Sequence, residues 1–395
     1  MPSGKWWINK DALMISLSAF FADMGYQAIV AGFPIFLVIV LKAPVYMLGI
    51  AYALTYGIGA LFGYAGGVIG DKLGKKKTAI AGNIFILLLS SIGFAAGALQ
   101  SVFLYASGWW SRDFRSPPRR AMISESTPES KRRQAFGTLH ALDISGGAIA
   151  IAYLLLLLYI KVSIRTIFLI TSLPIVVSTL FLLFVRSRPV GRRADRRSNA
   201  YNQPRKLLSD RKTLMGVLFA TSLFGFSFYS LGFPILTIAQ QSHSSALGIL
   251  AYGIFLLFSA AAGYMIGSKA KRMNMIKGLS ILGYALAALG SLGLGLYYSM
   301  HLVTPFSYAA VAMLGIAVGS IETFEPTIIS FISPRQDASR GMGYLTASRS
   351  IGLFIANAWM GILYVVSPAY SYYYAFLVSI SAAIILLYMG HGFRR

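Results

Sequence analysis

Twelve apolar runs, each long enough to cross a lipid bilayer, dominate this 395-residue chain. A spanning helix needs about 20 mostly apolar residues, each advancing about 1.5 Å through a hydrocarbon core about 30 Å thick. The first six runs cover about 12–41, 45–69, 78–99, 102–124, 135–159 and 164–186. The second six cover about 212–239, 246–268, 275–299, 305–332, 341–366 and 369–390. Helix is the conformation to expect, because an open strand cannot satisfy its backbone groups in lipid. The first run is too long for a signal-peptide core and lacks a cleavage-like ending, so it reads as a mature helix. Charged residues make up only 12% of the chain, about half the share of a water-soluble one, and there is no cysteine. Soluble domains and a disulfide scaffold are thereby excluded, and 56% apolar residues exclude disorder. The expected fold class is an all-α integral membrane protein with twelve transmembrane helices.

The net charge of +23 is distributed in a telling way. Lys and Arg fall in short gaps between the runs, as in loops facing anionic headgroups, rather than on a nucleic-acid-binding face. With both termini inside, the outer loops hold only Lys42, Lys161 and Arg165. The inner side receives Lys5, Lys10, the clusters 72–77, 119–133, 186–212 and 269–277, and Arg335, Arg340, Arg394 and Arg395. A multi-pass protein of the cell membrane with cytoplasmic termini is the expectation. Trp6 and Trp7 suit an inner-interface anchor, and Tyr370 and Tyr372 to Tyr374 an outer one.

The chain repeats itself. Gly32, Phe33, Pro34 and Ile35 recur at Gly232, Phe233, Pro234 and Ile235, and Gly63, Tyr64 and Gly67 recur at Gly263, Tyr264 and Gly267. Further on the offset becomes 206: Ile123, Ser124, Pro128, Gly137, Leu139, Ala141 and Gly146 match Ile329, Ser330, Pro334, Gly343, Leu345, Ala347 and Gly352. The expected domains are two parallel six-helix halves, 1–186 and 211–395, joined by a basic linker at 187–210. Such repeats suit alternating access around a site at their interface.

After the second run stand Gly67, Asp71, Lys72, Gly74, Lys75 and Lys76. This spacing resembles the loop signature of the major facilitator superfamily, with Lys72 where Arg is usual; the second copy has no acid. Arg115, Pro117, Ala121, Ser126, Pro128, Ala135 and Gly137, with Asp143 and Gly146 in register, are similar to a poorly characterised efflux group of prokaryotic members. Asp23 followed by Pro34 resembles that group's first helix. Gln27 and Arg120 depart from it, standing where Glu and Asp are common. The resemblance implies a twelve-helix transporter whose helices one, four, seven and ten line a central cavity.

A charge at the bilayer centre costs at least about 2.5–3.5 kcal/mol, so each one needs a reason. Asp23 lies about 17 Å into its helix, at the depth of a proton-coupling or substrate-binding acid. Arg112 lies about 15 Å into the fourth run, with Arg115 one turn deeper. They are either cavity cations or, for Arg115, Arg119 and Arg120, side chains snorkelling past Pro117 and Pro118. Glu322 and Glu325 share a helix face, and the resemblance, which puts helices four and ten on one cavity, implies that Glu322 can latch onto Arg112 or Arg115. His140 and Asp143 stand three residues apart, and Arg349 occupies the repeat position of Asp143. Opposite charges at symmetric sites suggest conformational ion pairs, with polar interhelical contact as the plainer alternative. Tyr26 and Trp109 are candidate pocket walls beside these charges.

No nucleotide-binding loop, catalytic triad, metal-ligand cluster or cofactor fingerprint is present, so neither an enzyme nor an ATP-driven pump is expected. The expected function is secondary active, proton-coupled transport of a small molecule, with efflux ahead of uptake. An organic-anion symporter or exchanger using Arg112 is one alternative. A divalent-cation exporter using Asp23, His140, Asp143 or Glu322 is another, and a non-transporting sensor a third. The expected partners are the substrate, protons and membrane lipids, with no nucleic acid and no cofactor, and the chain is expected to be a monomer.

Overall fold

A computed structural model describes residues 10–127, 132–186, 211–269, 275–332 and 338–391. Among them there is no strand, and twelve helical segments follow one another. The first, α1, is Lys10–Ile35, prolonged by a π-helical turn at Phe36–Val40. Next come α2 (Tyr46–Leu73) and α3 (Lys75–Phe85, continued by Leu87–Ser90 and Ser91–Phe94). They are followed by α4 (Ala98–Ser126), α5 (Arg132–Tyr159) and α6 (Ile164–Ile170 with Ser172–Leu183). The seventh, α7, comes in two pieces, Arg211–Gly225 and Gly232–Gln241, and α8 is Ser245–Lys269. Then α9 runs through Met275–Gly278, a π-helical stretch Leu279–Ala285, and Leu286–Ser299. Last are α10 (Thr304–Ile332), α11 (Ala338–Val366) and α12 (Pro368–His391).

Ten of these are long and apolar enough to cross a membrane. The other two have local reasons for falling short. On α4, Arg112, Asp113, Arg115, Arg119 and Arg120 lower the hydropathy. On α7 the helix is interrupted at 226–231. The interruption departs from the continuous run expected at 212–239. Its freed backbone groups find side-chain partners: Ser230 N donates to Asn357 Oδ1 (2.9 Å), and Phe224 O accepts from Ser227 Oγ (2.7 Å), which Ser379 Oγ holds in turn (2.7 Å). Irregular backbone at membrane depth is tolerated only where protein satisfies it in this way. The linker at 187–210 lies outside the described residues, as do Trp6, Trp7, Lys271 and Arg272.

The described residues divide into two compact units, those within Met1–Val30 and Ile58–Lys206 and those within Ala31–Gly57 and Leu207–Arg395. The first has a core of Ile15, Ala19, Ala79, Met122, Ile123, Leu139, Leu182 and Val185, drawn from α1, α3, α4, α5 and α6. In the second, Tyr52 packs edge-on to Phe233 with ring centroids 6.0 Å apart. Buried in the same unit, Tyr372 shares a 2.5 Å hydrogen bond with Thr237 Oγ1. An outer-interface anchor is therefore the wrong reading of Tyr372, whose hydroxyl is satisfied inside the bundle, while Tyr370 is exposed.

The crossing of α2 and α4 follows from two prolines. Pro117 and Pro118 lie inside α4 and cannot donate to the carbonyls of Asp113 and Phe114. Those carbonyls turn toward glycines of α2. A Cβ on Gly66 would sit 1.9 Å from Phe114 O, so only glycine permits the approach. The repeat is visible at this level: Gly63 faces the carbonyl of Asp113, and Gly263 faces that of Gly319, 206 residues after Asp113. Between α2 and α3, Gly74 has φ 104°, a conformation that a side chain resists.

Lys42, Lys161, His243 and His301 also have positive φ, between 49° and 61°. The best defined of these helix ends closes with Lys161 N bonding to Leu158 O and Val162 N to Leu157 O. Positive side chains at the carbonyl end complement the helix dipole. Lys42 and Lys161, two of the three basic residues assigned to outer loops, thus have a capping role.

Candidate functional site

Six charged residues of the first unit converge on one another. Three are guanidinium groups on α4: Arg112, Arg115 and Arg119, spaced to share one helical face. Three are carboxyls: Asp23 on α1, Asp113 on α4 and Asp143 on α5.

Arg112 is held at four points. Its Nη1 bonds to Asp113 Oδ1 (3.0 Å) and its Nε to Tyr26 Oη (3.3 Å). Its guanidinium carbon lies 4.8 Å from the Trp109 ring centre and 5.6 Å from that of Tyr26. The two rings meet edge to face at 5.9 Å. Tyr26 and Trp109 thus flank the Arg112 guanidinium on two sides.

Arg115 is completely buried. Its Nη1 donates to Asn83 Oδ1 of α3, while Asn83 Nδ2 donates to Thr179 Oγ1 (2.7 Å) and Ser178 Oγ (3.2 Å) of α6. Ser178 Oγ reaches Ser18 O of α1 at 2.6 Å. Arg119 is buried as well, with Nη2 3.6 Å from Asp143 Oδ2. Snorkelling therefore describes neither Arg115 nor Arg119; Arg120 alone of the three is exposed.

Asp23 is 3% exposed, and its carboxyl lies near that of Asp143, in the fields of Arg112 and Arg119. A hydrogen bond between two carboxyls requires one proton between them, because a carboxylate only accepts. His140 is exposed one turn from Asp143, and no described contact joins it to the cluster.

The second unit holds a smaller cluster. Arg349 of α11 bonds through Nη2 to Glu322 Oε1, and its Nη1 lies 3.6 Å from Glu325 Oε2. Glu325 is fully buried and accepts from Tyr284 Oη at 2.8 Å. Tyr284 shares a 3.0 Å hydrogen bond with Thr221 and stacks on Phe224 at 4.3 Å. Arg349 lies 5.2 Å from the ring centre of Phe228, in the interruption of α7. The cation beside Glu322 is thus Arg349 of its own unit, where Arg112 or Arg115 was expected.

Asp143 and Arg349 find separate partners, and those partners are themselves related. Arg119 and Glu325 are 206 residues apart, as are Asp143 and Arg349. Each half therefore carries the same α4–α5 or α10–α11 ion pair at the same 3.6 Å, with the charges exchanged. Tyr284 likewise stands near the repeat position of Asn83: Gly82 packs on Arg115 and Gly283 on Ile321, residues 206 apart. Sequence reasoning missed Asn83 and Tyr284 as partners. The available signal was a hydrogen-bonding side chain directly after a glycine in the third helix of each half, Gly82-Asn83 and Gly283-Tyr284.

At the loop between α2 and α3, Asp71 lies 3.7 Å from Lys75, which also pairs with Glu125 at the end of α4. Lys72 is exposed, Gly67 faces Pro117, and Gly74 supplies the turn described above. This loop joins two helices of the first unit to a third.

The comparisons agree with this architecture. The chain is 23% identical over 392 residues to an uncharacterized MFS-type transporter of Methanocaldococcus jannaschii, covering 97% of this chain and 95% of the relative. It is 34% identical over 84 residues, 21% of each chain, to the uncharacterized MFS-type transporter YhjO of Bacillus subtilis. A POT family transporter solved with 5-aminolevulinic acid superposes with a TM-score of 0.77 at 13% identity, over 99% of this chain and 98% of that one. A D-xylose-proton symporter superposes with a TM-score of 0.75 at 13% identity, over 96% and 97%. At such identities the structures speak to the fold alone. Residues 15–321 match the Major Facilitator Superfamily, and the chain belongs to that family of membrane transporters.

Proposed function

We propose that this chain is a proton-coupled secondary transporter of a small molecule, working by alternating access, in which Asp23 and Asp143 carry the proton. The observation that supports this reading is the meeting of the two carboxyls from α1 and α5 inside the first unit. Two neighbouring carboxyls in a buried site cannot easily both carry charge, so the pair is suited to gain and lose one proton. Arg119, 3.6 Å from Asp143, places a positive charge beside the pair. The exchanged ion pairs Arg119–Asp143 and Glu325–Arg349 are suited to holding the two halves of a conformational cycle. Among the described residues no three His, Asp or Glu side chains gather as metal ligands, so the divalent-cation reading lacks a ligand set. The distribution of Lys and Arg supports a cell-membrane protein with cytoplasmic termini.

The test is proton flux in proteoliposomes carrying an internal pH dye, screened against small-molecule pools, with wild type beside Asp23→Asn. A substrate-dependent pH change that Asp23→Asn abolishes is the expected result. Substrate movement with no pH change, unaltered by the substitution, would overturn proton coupling through this pair.

A further inference from the structure

We propose that the α4 arginines bind a monoanionic oxyanion, a carboxylate or phosphate, that is carried together with the proton. The proposal rests on the proton-carrying role of Asp23 and Asp143. Two observations carry it, one of charge and one of hydrogen bonding.

The charge argument is a count over the six clustered residues. With one proton shared by Asp23 and Asp143, three arginines face two negative charges, Asp113 and the remaining carboxylate, leaving a net charge of +1. With that proton gone, three positive charges face three negative ones and the cluster is neutral. An isolated net charge inside a membrane bundle is costly, so the protonated cluster favours one further negative charge and the deprotonated cluster none. Arg120, exposed and close enough for Asp113 to feel its field, adds positive charge at the solvated edge of the cluster and does not reverse the sign. Tyr26 and Tyr153 stand beside the cluster as hydroxyls, Tyr26 Oη accepting from Arg112 and Tyr153 Oη donating to Met24 O (2.8 Å), while Tyr105 stacks on Trp109 and His140 is exposed one turn from Asp143.

The second observation is independent of charge counting. Arg115 Nε and Nη2 and Arg119 Nε and Nη1 are buried, and none has a hydrogen-bond partner among the described residues. These four donors sit on two side chains that are 0% and 5% exposed, where an unmet donor is expensive. Guanidinium groups present donors in a planar fork that matches the oxygens of a carboxylate or phosphate. Arg112, less buried than the other two, stands at the more open end of the row, over Trp109. An entering anion would meet Arg112 first and the unmet donors behind it.

Coupling then follows from charge balance. The anion binds when the carboxyl pair holds its proton, and the proton leaves when the anion leaves, so both move in the same direction. One monoanion with one proton makes the cycle electroneutral. Movement down an inward proton gradient is uptake, in place of the export suggested by the resemblance to an efflux group.

The test uses the full chain in proteoliposomes with an internal pH dye and a potassium–valinomycin clamp. The probes are pyruvate, benzoate, inorganic phosphate and chloride, each against protein-free vesicles. The expected result is that an inward gradient of pyruvate, benzoate or phosphate acidifies the lumen at a rate unaffected by the clamped voltage. Arg119→Gln should raise the KM for that anion at least about tenfold, the loss of a charged hydrogen-bonding partner. Arg115→Lys keeps the charge but loses the fork, and should raise the KM while retaining proton coupling. Folding of each variant is read from its melting temperature, and the wild-type protein should be stabilised by the transported anion more than Arg119→Gln is. If no oxyanion probe stabilises the wild type or moves protons while a neutral or cationic substrate does, the anion site is refuted and proton coupling survives. If an oxyanion moves with no proton, the coupling reading fails while the site stands. Voltage-dependent flux would overturn the one-to-one balance.

Discussion

Removing Arg349 tests the second-unit cluster most directly, because it strands a buried acid. Glu325 is fully buried, with Arg349 Nη1 at 3.6 Å and Tyr284 Oη at 2.8 Å. At an effective dielectric of about 20, two unit charges 3.6 Å apart attract by about 4.6 kcal/mol. The contact between Arg349 and Glu322 adds little, since the Glu322 side chain is 57% exposed and screened, and such pairs contribute about 0–1 kcal/mol. After Arg349→Met, Glu325 retains Tyr284, a charge-assisted bond of about 1.5–3 kcal/mol. Breaking one side of a buried pair costs about 3–5 kcal/mol, and we expect a loss in that range. Methionine keeps much of the arginine stem, so lost packing contributes little. Adding Glu325→Gln removes the stranded charge and should recover at least half of the loss. The assay is thermal melting of the detergent-solubilised protein for wild type, Arg349→Met, Glu325→Gln and the double variant. A single Arg349→Met variant that melts with wild type, or a double variant no more stable than that single, would refute the reasoning.

Two further substitutions test the packing in opposite directions. Gly66→Ala places a methyl group 1.9 Å from Phe114 O, so α2 and α4 must separate; a loss of about 1–3 kcal/mol is expected, read as a lower melting temperature. Lys161→Gly relieves a side chain held at φ 61° and should leave stability unchanged or raise it by up to about 1 kcal/mol in the same assay; a clear loss would mean that the lysine charge at this helix end outweighs its backbone strain.

Much of this molecule is legible in the order of its residues. Apolar run length sets twelve helices, because a lipid-exposed backbone must bond to itself and about 20 residues are needed to cross. The repeat is legible because its spacing survives in the chain, and the match over residues 15–321 agrees with the family that the α2–α3 loop suggested. Asp23, Arg112, Arg115 and Asp143 stand out because charge within an apolar run is costly enough to need a purpose.

Partner choice is a different matter. Spacing along a helix says which side chains share a face, and nothing about which helix lies opposite. Arg112 therefore finds Tyr26 and Asp113, Arg115 finds Asn83, and Glu322 finds Arg349, though Arg112 or Arg115 was expected to meet Glu322. The interruption of α7 escaped the sequence for a related reason. Ser227 and Ser230 read as tolerable helix residues until Asn357, far along the chain, bonds the opened backbone at Ser230 and Ser379 holds the Ser227 hydroxyl. The exchanged pairs Arg119–Asp143 and Glu325–Arg349 needed both kinds of knowledge. Sequence alone determined that their positions correspond, because the offset of 206 is written in the chain. Only the tertiary structure decided that they touch, because contact depends on the packing of two helices and not on the spacing within either.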